Sequence, residues 1–349
     1  MKIKIIKHIS KLVLQSLVVF AMFTGLFIPG HISAQGIFTS YALLIGGAGW
    51  SEEYGTKYQK YLFDTRKALI DKFGFPEKNV IVLAETRPTD VDYIVATSEA
   101  ENIKAQFDEL AKKVTTKDYV YIILFGHGSF DGKEAKFNLP GRDLTDTEYA
   151  ELVKQLKAGR IIFINTSQSS FPFIEKLSAP NRIIITATKS GTERIETCFP
   201  EFLVEALVNT ASDLDKNGDV SLLEIFTYAS DKTNLWYEQS NHLATEHPQL
   251  EDTGDKNSFR ASELEKNDEG HLAAMTFLKR RTAAITSSAV LDSTVIRLLQ
   301  EQETVEQDIA ELKSQKAKLR EDVYYSRLEA LLIHLAKITQ ELEKIKKDF

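Results

Sequence analysis

Five short apolar runs recur between residues 41 and 186, and amphipathic segments separate them. The runs cover residues 41–45, 79–83, 120–125, 161–164 and 182–186. The third and fourth are unbroken by polar residues, which is typical of strands buried on both faces of a parallel sheet. The regular alternation of such strands with helical segments predicts an α/β fold with a doubly wound, mostly parallel sheet flanked by helices.

The segments between these runs carry apolar residues at helical spacing. One predicted helix covers residues 58–73. Ser98 with Glu101, and Thr145 with Glu148, match the capping box, in which the two side chains satisfy free backbone N–H groups at a helix start. The sequence therefore predicts that two further helices begin at these pairs.

The composition changes from about Asp292, where glycine and proline disappear. Apolar residues then follow a three-and-four spacing up to Leu319 and again from Leu328, but the two registers do not join. A slip of this kind predicts an antiparallel helical hairpin over residues 286–349, with its turn within residues 313–320. The alternative is one continuous coiled coil that pairs with another chain.

The first 34 residues have the pattern of a secretory signal peptide. Lysines at 2, 4, 7 and 11 precede a mostly apolar stretch over residues 12–28, and Ala34 offers a small residue before a cut. The alternative is a retained anchor, for which about 17 apolar residues are barely enough. We expect an exported protein, periplasmic or secreted, with no stable membrane span after cleavage. The predicted parts are the signal peptide 1–34, an α/β domain 35–285 and the hairpin 286–349.

The net charge argues against nucleic acid as a partner, and the number of cysteines decides whether an internal disulfide can form. Removal of residues 1–34 deletes four lysines and no acids, so 39 basic residues face 50 acidic ones and the net charge is −11. Nucleic acid is not expected to bind so acidic a chain. Cys198 is the only cysteine, which excludes an internal disulfide.

Two of the predicted strands end next to residues whose side chains can act in catalysis or ligand binding. The third stops at Gly126-His127-Gly128, where two glycines allow a sharp turn that leaves the imidazole uncovered, and the fourth ends in Asn165-Thr166-Ser167. Ligands of open α/β sheets bind at the carboxyl ends of parallel strands. His127 and Ser167 are therefore the candidate site residues.

This pair of strand ends resembles the legumain-type cysteine peptidases of the caspase–haemoglobinase fold. In that family one strand ends in His-Gly, as at His127, and the next ends in an acidic-small-Cys motif, with Ser167 where the family has its nucleophile. The resemblance covers about residues 40–207 and includes a third strand end, Ala187-Thr188. It implies a caspase/legumain-like domain. The stretch after Trp50 lacks the Arg-His pair that shapes the family's specificity pocket, so the family's substrate preference does not carry over.

The replacement of the nucleophile favours an inactive homologue. A serine hydroxyl is far less acidic than a thiol and needs a placed base, an orienting group and an oxyanion hole. We therefore predict a protein that binds a peptide or protein ligand, with possible self-association through the C-terminal helices. The alternatives are a hydrolase that uses His127 with Ser167, or one that uses Cys198. Cys198 itself lies at a helix start beyond the fifth strand, and we interpret it as a buried structural thiol.

Residues 213–224 read DLDKNGDVSLLE and match the calcium-loop pattern D-x-[DN]-x-[DN]-G-x5-E at every required position. Oxygen ligands of this kind predict a Ca²⁺ site, and the alternative is a solvated acidic turn. The predicted ligands are the side chains of Asp213, Asp215 and Asn217, the carbonyl of Asp219, a water held by Ser221, and a bidentate Glu224.

A second acidic stretch, residues 244–257, is predicted to be a loop. The spacing of Asp252, Gly254 and Asp255 in it is incomplete for an ion site. His242 and His247 are interpreted as surface residues.

Overall fold

A mostly parallel sheet lies at the centre of the computed structural model, which describes residues 39–89, 91–216, 218–278, 293–314 and 319–347. The predicted signal peptide, 1–34, and the predicted domain boundary at 285/286 lie outside these residues. None of the helices within the described ranges is both long and apolar enough to cross a membrane.

The main sheet has seven strands in the spatial order β10-β9-β8-β4-β1-β2-β3. They are β1 (Ser40–Gly46), β2 (Val80–Ala84), β3 (Ile94–Thr97), β4 (Tyr119–Phe125), β8 (Arg160–Asn165), β9 (Arg182–Thr186) and β10 (Gln249–Glu251). All neighbours are parallel except β10, which runs antiparallel to β9. The predicted mostly parallel sheet is confirmed. A small antiparallel sheet is formed by β5 (Gly128–Phe130), β6 (Ala135–Phe137) and β7 (Leu144–Thr145).

Helices cover both faces of the main sheet. They are α1 (Glu52–Lys67, continued by a π-helical segment Ala68–Lys72), α2 (Ala100–Lys113), α3 (Asp146–Lys154), α4 (Pro172–Leu177), α5 (Phe199–Val208), α6 (Leu222–Ser240), α7 (His271–Ala274), α8 (Ser293–Ser314) and α9 (Glu321–Lys347). Short 3-10 segments cover Glu77–Asn79, Thr210–Ser212, Ala261–Glu263 and Glu265–Asn267.

The two-sided cover explains the unbroken apolar run of β4. Alternate side chains of β4 pack into two separate cores. Tyr121, Ile123 and Phe125 belong to the core shared with α1, α5 and α6, whereas Val120, Ile122 and Leu124 belong to the core shared with α2, α3 and α4. Because full burial of one such side chain contributes about 1.5–3 kcal/mol, neither face of β4 tolerates a polar residue.

Helix α1 begins earlier than residue 58, where the sequence placed its start. Ser51 is the N-cap, and its hydroxyl accepts a hydrogen bond from the Tyr54 N–H at 3.3 Å. Glu52 and Glu53 occupy the first turn, where negative charge complements the helix dipole. The extra turn places Tyr54, Lys57 and Tyr58 on the same helix, beside the end of β4.

The two predicted capping boxes have different outcomes. The box of Thr145 and Glu148 is confirmed, with both reciprocal hydrogen bonds present at the start of α3. The box of Ser98 and Glu101 is wrong, because α2 begins at Ala100 without a side-chain cap. The Ser98 N–H instead donates to the Ala84 carbonyl at 2.8 Å and extends the pairing of β2 with β3.

Several short strands were not predicted. The strands β3, β5, β6 and β7 have only two to four residues, too few to show a period. The segment 244–257, predicted as loop, contains β10, whose three residues are all buried against β9. Sheet-edge pairing alone makes Gln249–Glu251 a strand.

Helices α8 and α9 pack on each other within one chain. Leu298, Val305 and Ile309 from α8 are buried with Ile338 from α9. A hydrogen bond of 2.9 Å joins His334 Nε2 to Glu301 Oε1 across the pair. The slip in hydrophobic register coincides with the break between the two helices.

Candidate functional site

The site that contains His127 and Ser167 lies beside the switch point of the main sheet, where the chain connections on the two sides of β1 and β4 run in opposite directions. From β1 the chain continues to β2 and β3 on one side, and from β4 it continues to β8, β9 and β10 on the other. Such a switch opens a crevice at the carboxyl ends of the two central strands, β1 and β4. Gly47 and Gly126 allow the two strand ends to approach, because a Cβ on Gly126 would lie 2.9 Å from the Gly47 Cα.

His127 lies two residues beyond the end of β4 and is covered by aromatic rings. Its side chain stacks on Trp50, with ring centroids 5.1 Å apart and planes 5° apart. Tyr54 and Tyr58 of α1 meet it edge-on at 4.8 and 5.5 Å. The prediction of an uncovered imidazole is wrong, since His127 is only 7% exposed. The outer face of this cover is Trp50, which is 70% exposed.

Burial of the imidazole decides its charge. Desolvation lowers the pKa of His127 below 6.5, although the Glu196 carboxylate acts in the opposite direction. The Gln168 side-chain amide lies 3.2 Å from His127 Nδ1. With the amide nitrogen donating, Nδ1 is the acceptor and Nε2 carries the proton, so neither ring nitrogen is free to take a proton from a nucleophile.

Ser167 lies at the end of β8 and is 1% exposed. Its Oγ donates to Asn165 Oδ1 at 2.7 Å, and its backbone N–H donates to the same oxygen at 3.0 Å. A Cβ on Gly128 would lie 2.5 Å from Ser167 Oγ and 2.4 Å from the Gln168 carbonyl. The structure therefore brings the two predicted strand ends together, but the hydrogen bonds of Ser167 and His127 go to different partners.

Cys198 is half-buried rather than buried as predicted, and its environment is that of a structural thiol. Burial, together with the neighbouring Glu246 carboxylate, raises its pKa, so the thiol stays protonated and is a poor nucleophile at neutral pH. The fully buried Glu246 accepts hydrogen bonds from the Cys198 and Phe199 N–H groups at 2.6 and 3.1 Å and so caps the start of α5.

A narrow cleft, which the surrounding side chains fill too closely to admit a water-sized group, lies between α1 and the segment that joins β9 to α5. Glu196 is the carboxylate in it, and it accepts a hydrogen bond from the Tyr54 hydroxyl and pairs with Lys57 Nζ at 3.1 Å. This hydrogen bond is the main cause that raises the pKa of Tyr54 to about 12. Tyr58, Gln168 and other residues complete the lining. Sequence analysis missed Glu196, because no motif marks its segment.

The second candidate site is the acidic loop between α5 and α6. Oxygens of Asp213, Asp215 and Glu224 lie within 4.8 Å of one another, a group that fits one metal ion. Gly218 has φ +88°, and its N–H donates to Asp213 Oδ2 at 3.0 Å. The left-handed φ is the sharp turn that the pattern assigns to this glycine.

The other predicted ligands of the loop have different outcomes in the structure. Asn217 lies outside the described residues. Asp219 does not belong to the carboxylate group. The Ser221 hydroxyl donates to Glu224 Oε2 at 2.8 Å. Glu224 also accepts hydrogen bonds from the Leu214 and Asp215 N–H groups at 2.9 and 3.3 Å, so one carboxylate ties both ends of the loop together.

The loop is anchored to the domain by backbone pairing. The Leu278 N–H donates to the Val220 carbonyl at 3.0 Å, and the Leu222 N–H donates to the Thr276 carbonyl at 2.8 Å. Val220 is buried. The chain around residue 277 thus supplies the strand-like partner on which the end of the loop is fixed.

Two other predictions concern residues near β10. Asp252 is buried and accepts the Gly270 and Ala273 N–H groups at 2.9 and 2.8 Å, so its carboxylate serves the fold around α7. His242 is exposed, as predicted. The surface prediction for His247 is wrong, because its side chain is 16% exposed and its Nδ1 lies 2.5 Å from Glu193 Oε1.

Comparison with known proteins gives similarity of structure only. No family model matches the chain, and no curated protein matches it. Among solved structures, a crystal structure of drICE matches with a TM-score of 0.39 and 10% sequence identity, covering 63% of this chain and 90% of that one. At this level the likeness concerns the path of the backbone and carries no statement about activity.

We expect the native pKa of His127 to lie below 6.5. Because the unfolded chain then binds the proton more tightly, the free energy of unfolding falls as the pH drops below 6.5 and stops falling once the native imidazole is protonated. An NMR titration of the imidazole, assigned with His127→Gln, measures this pKa. Glu196→Gln should lower it further, whereas Glu205→Gln should not move it. A native pKa above 6.5 would contradict the burial argument.

Proposed function

We propose that this chain is an exported, calcium-binding relative of the legumain-type peptidases that binds a peptide or protein ligand without cleaving it. The proposal rests on the two strand ends, which carry His127-Gly128 and Asn165-Thr166-Ser167 on the neighbouring strands β4 and β8. The exposed Trp50 and Ile195 beside the cleft offer apolar surface to a ligand.

One observation carries the proposed loss of catalysis. The Ser167 hydroxyl has a single proton, and it points at Asn165 Oδ1 rather than at a base. The Gln168 amide nitrogen lies 3.2 Å from His127 Nδ1, and when this nitrogen donates, the proton of the neutral imidazole is on Nε2. A serine activated by a histidine needs the opposite arrangement, with the histidine accepting the serine proton.

The proposal predicts that Ser167 does not react. A serine-directed fluorophosphonate should leave the protein unlabelled, and a panel of fluorogenic peptides should stay uncleaved with or without calcium. Any background hydrolysis should be equal in the wild type, Ser167→Ala and His127→Ala. Ser167→Cys, which restores the family's nucleophile, shows whether the remaining site can still support cleavage. The alternative, a serine hydrolase, predicts a peptidase activity that Ser167→Ala abolishes.

The second part of the proposal is that the loop of residues 213–224 binds Ca²⁺. The cluster of Asp213, Asp215 and Glu224 supports it, together with the left-handed Gly218. The loop joins α5, which packs on the central sheet, to α6. An ion there would therefore stabilise the fold rather than act as a switch. An exported protein meets enough calcium for a site of modest affinity to be filled.

Export and self-association complete the proposal. The basic start and apolar stretch of residues 1–34 support cleavage after Ala34. Tyr325, Leu332 and Ile333 on α9 are about half exposed and support contact between hairpins of two chains.

A further inference from the structure

The cleft beside His127 has the chemistry of a site for a cationic side chain. We propose that it takes the guanidinium of an arginine, or the ammonium of a lysine, from a bound peptide, with Glu196 as the counter-ion and tyrosine rings as its walls. This inference rests on the proposed peptide-binding function and adds the class of residue that the ligand presents.

The protein's own Lys57 already shows this chemistry. Its ammonium lies 3.1 Å from Glu196 Oε1 and 5.9 Å from the centroid of the Tyr54 ring. Both partners of the pair are about one third exposed, at 35% for Lys57 and 33% for Glu196. A partly solvated ion pair contributes little to stability, so an incoming cation can replace Lys57 at the carboxylate.

The electrostatic field of the cleft favours a positive ligand. Glu85, Glu196 and Glu201 all lie close enough to Tyr58 or Tyr61 to raise the pKa of these hydroxyls, after burial as the main cause. Of these carboxylates, Glu196 pairs with Lys57. His127 adds no positive charge at neutral pH, because burial lowers its pKa.

The aromatic cover adds a second attraction for a cation. Trp50, Tyr54 and Tyr58 surround His127, and the Tyr54 hydroxyl continues to Glu196. A cation over the face of such rings is attracted by their negative π surface. A guanidinium also matches a carboxylate with two parallel hydrogen bonds and stacks on aromatic rings, so we expect arginine to be preferred over lysine.

The chain offers a matched control outside the cleft. Glu205 forms the same trio with Lys232 and Tyr228, with Tyr228 Oη at 2.6 Å, Lys232 Nζ at 3.4 Å, and the ammonium 5.4 Å from the Tyr228 ring centroid. The exposures of 39% for Lys232 and 35% for Glu205 are also similar. Glu205→Gln therefore has the same local effect as Glu196→Gln without touching the cleft.

The test measures peptide binding by the fluorescence of Trp50. Trp50 and Trp236 are the two tryptophans, so Trp236→Phe in the full chain leaves Trp50 as the reporter. The probes are blocked pentapeptides Ac-Ala-Ala-X-Ala-Ala-NH2, with X as Arg, Lys, Gln, Leu or Glu. Calorimetric titration of the same peptides confirms each dissociation constant.

We expect the arginine peptide to bind about tenfold more tightly than the glutamine peptide, the value for one charge-assisted hydrogen bond. Glu196→Gln should remove this preference, and Lys57→Met should strengthen arginine binding, which a misfolded variant cannot do. Glu205→Gln should leave all affinities unchanged. Equal binding of all five peptides, or a preference for glutamate, would overturn the cationic specificity and leave peptide binding intact. If no peptide binds, the proposed peptide-binding function and this inference both fail.

Discussion

Saturating calcium is expected to raise the thermal midpoint of unfolding by about 3–5 °C relative to EDTA. The reason is mass action, because an ion that binds only the folded loop stabilises it by about 2.7 kcal/mol at a hundredfold excess over its dissociation constant. The entropy of unfolding is about 2.1 cal/mol/K per residue, so for a chain of 349 residues one kcal/mol corresponds to about 1–2 °C. The carboxylates of Asp213, Asp215 and Glu224 also repel one another at their separation of at most 4.8 Å, and the ion removes that repulsion.

The calcium experiment compares melting in EDTA, in excess Ca²⁺ and in excess Mg²⁺. Magnesium should give a smaller gain, because it requires near-ideal octahedral geometry and gives up its water reluctantly. Asp215→Asn is the most informative variant, because Asp215 is exposed and its carboxylate is not needed for packing. The substitution should reduce the rise of the thermal midpoint that calcium produces, and should change the midpoint in EDTA less. Glu224→Gln should also remove most of the gain.

A control for general charge effects is Asp255→Asn. Asp255 is an exposed acid in the stretch whose spacing is incomplete for an ion. Its variant should keep the full calcium gain. Equal midpoints in EDTA and calcium for the wild type would mean that the loop is only a solvated acidic turn.

Gly128→Ala is expected to destabilise the protein by about 3 kcal/mol, the upper end of the usual cost of overpacking. The added Cβ would lie 2.4 Å from the Gln168 carbonyl and 2.5 Å from Ser167 Oγ. The carbonyl belongs to the backbone and cannot rotate away, so the ends of β4 and β8 must move apart. The predicted loss is a property of the candidate site itself, where these two strand ends meet.

Urea unfolding measures this loss, with an unchanged m-value as the sign that the native and unfolded states keep their compactness. Gly55→Ala is the matched control, because its Cβ would meet only Glu85 Oε2 at an ordinary 3.5 Å. Gly55 lies inside α1, where alanine is favoured over glycine by about 0.5–1 kcal/mol, so this variant should be slightly stabilised. A neutral Gly128→Ala would show that the two strand ends are not in close contact.

Local patterns in the sequence determined the sheet and the acidic loop. The strand β4 could be predicted because burial on both faces requires every side chain to be apolar, which is visible without knowing its neighbours. The calcium pattern could be found because its ligands lie within twelve consecutive residues. The hairpin of α8 and α9 was foreseen because a break between helices shifts the hydrophobic register.

The same local motif did not always have the same outcome. Ser98-Glu101 and Thr145-Glu148 are equivalent as capping signals, and only the second one caps a helix. The difference comes from a distant group, the Ala84 carbonyl, which takes the Ser98 N–H into the sheet. A hydrogen bond across strands cannot be read from a window of four residues.

The chemistry around His127 was decided by tertiary structure. The sequence placed His127 and Ser167 at two strand ends, because parallel strands end at the same edge. It did not reveal the cover of Trp50 and Tyr54, nor Glu196, which reaches Lys57 from 139 residues away. These groups follow no spacing along the chain; they meet because α1 packs across the switch point between β1 and β4. The strands are thus a property of the local sequence, whereas the environment that sets the charge of His127 exists only after the chain has folded.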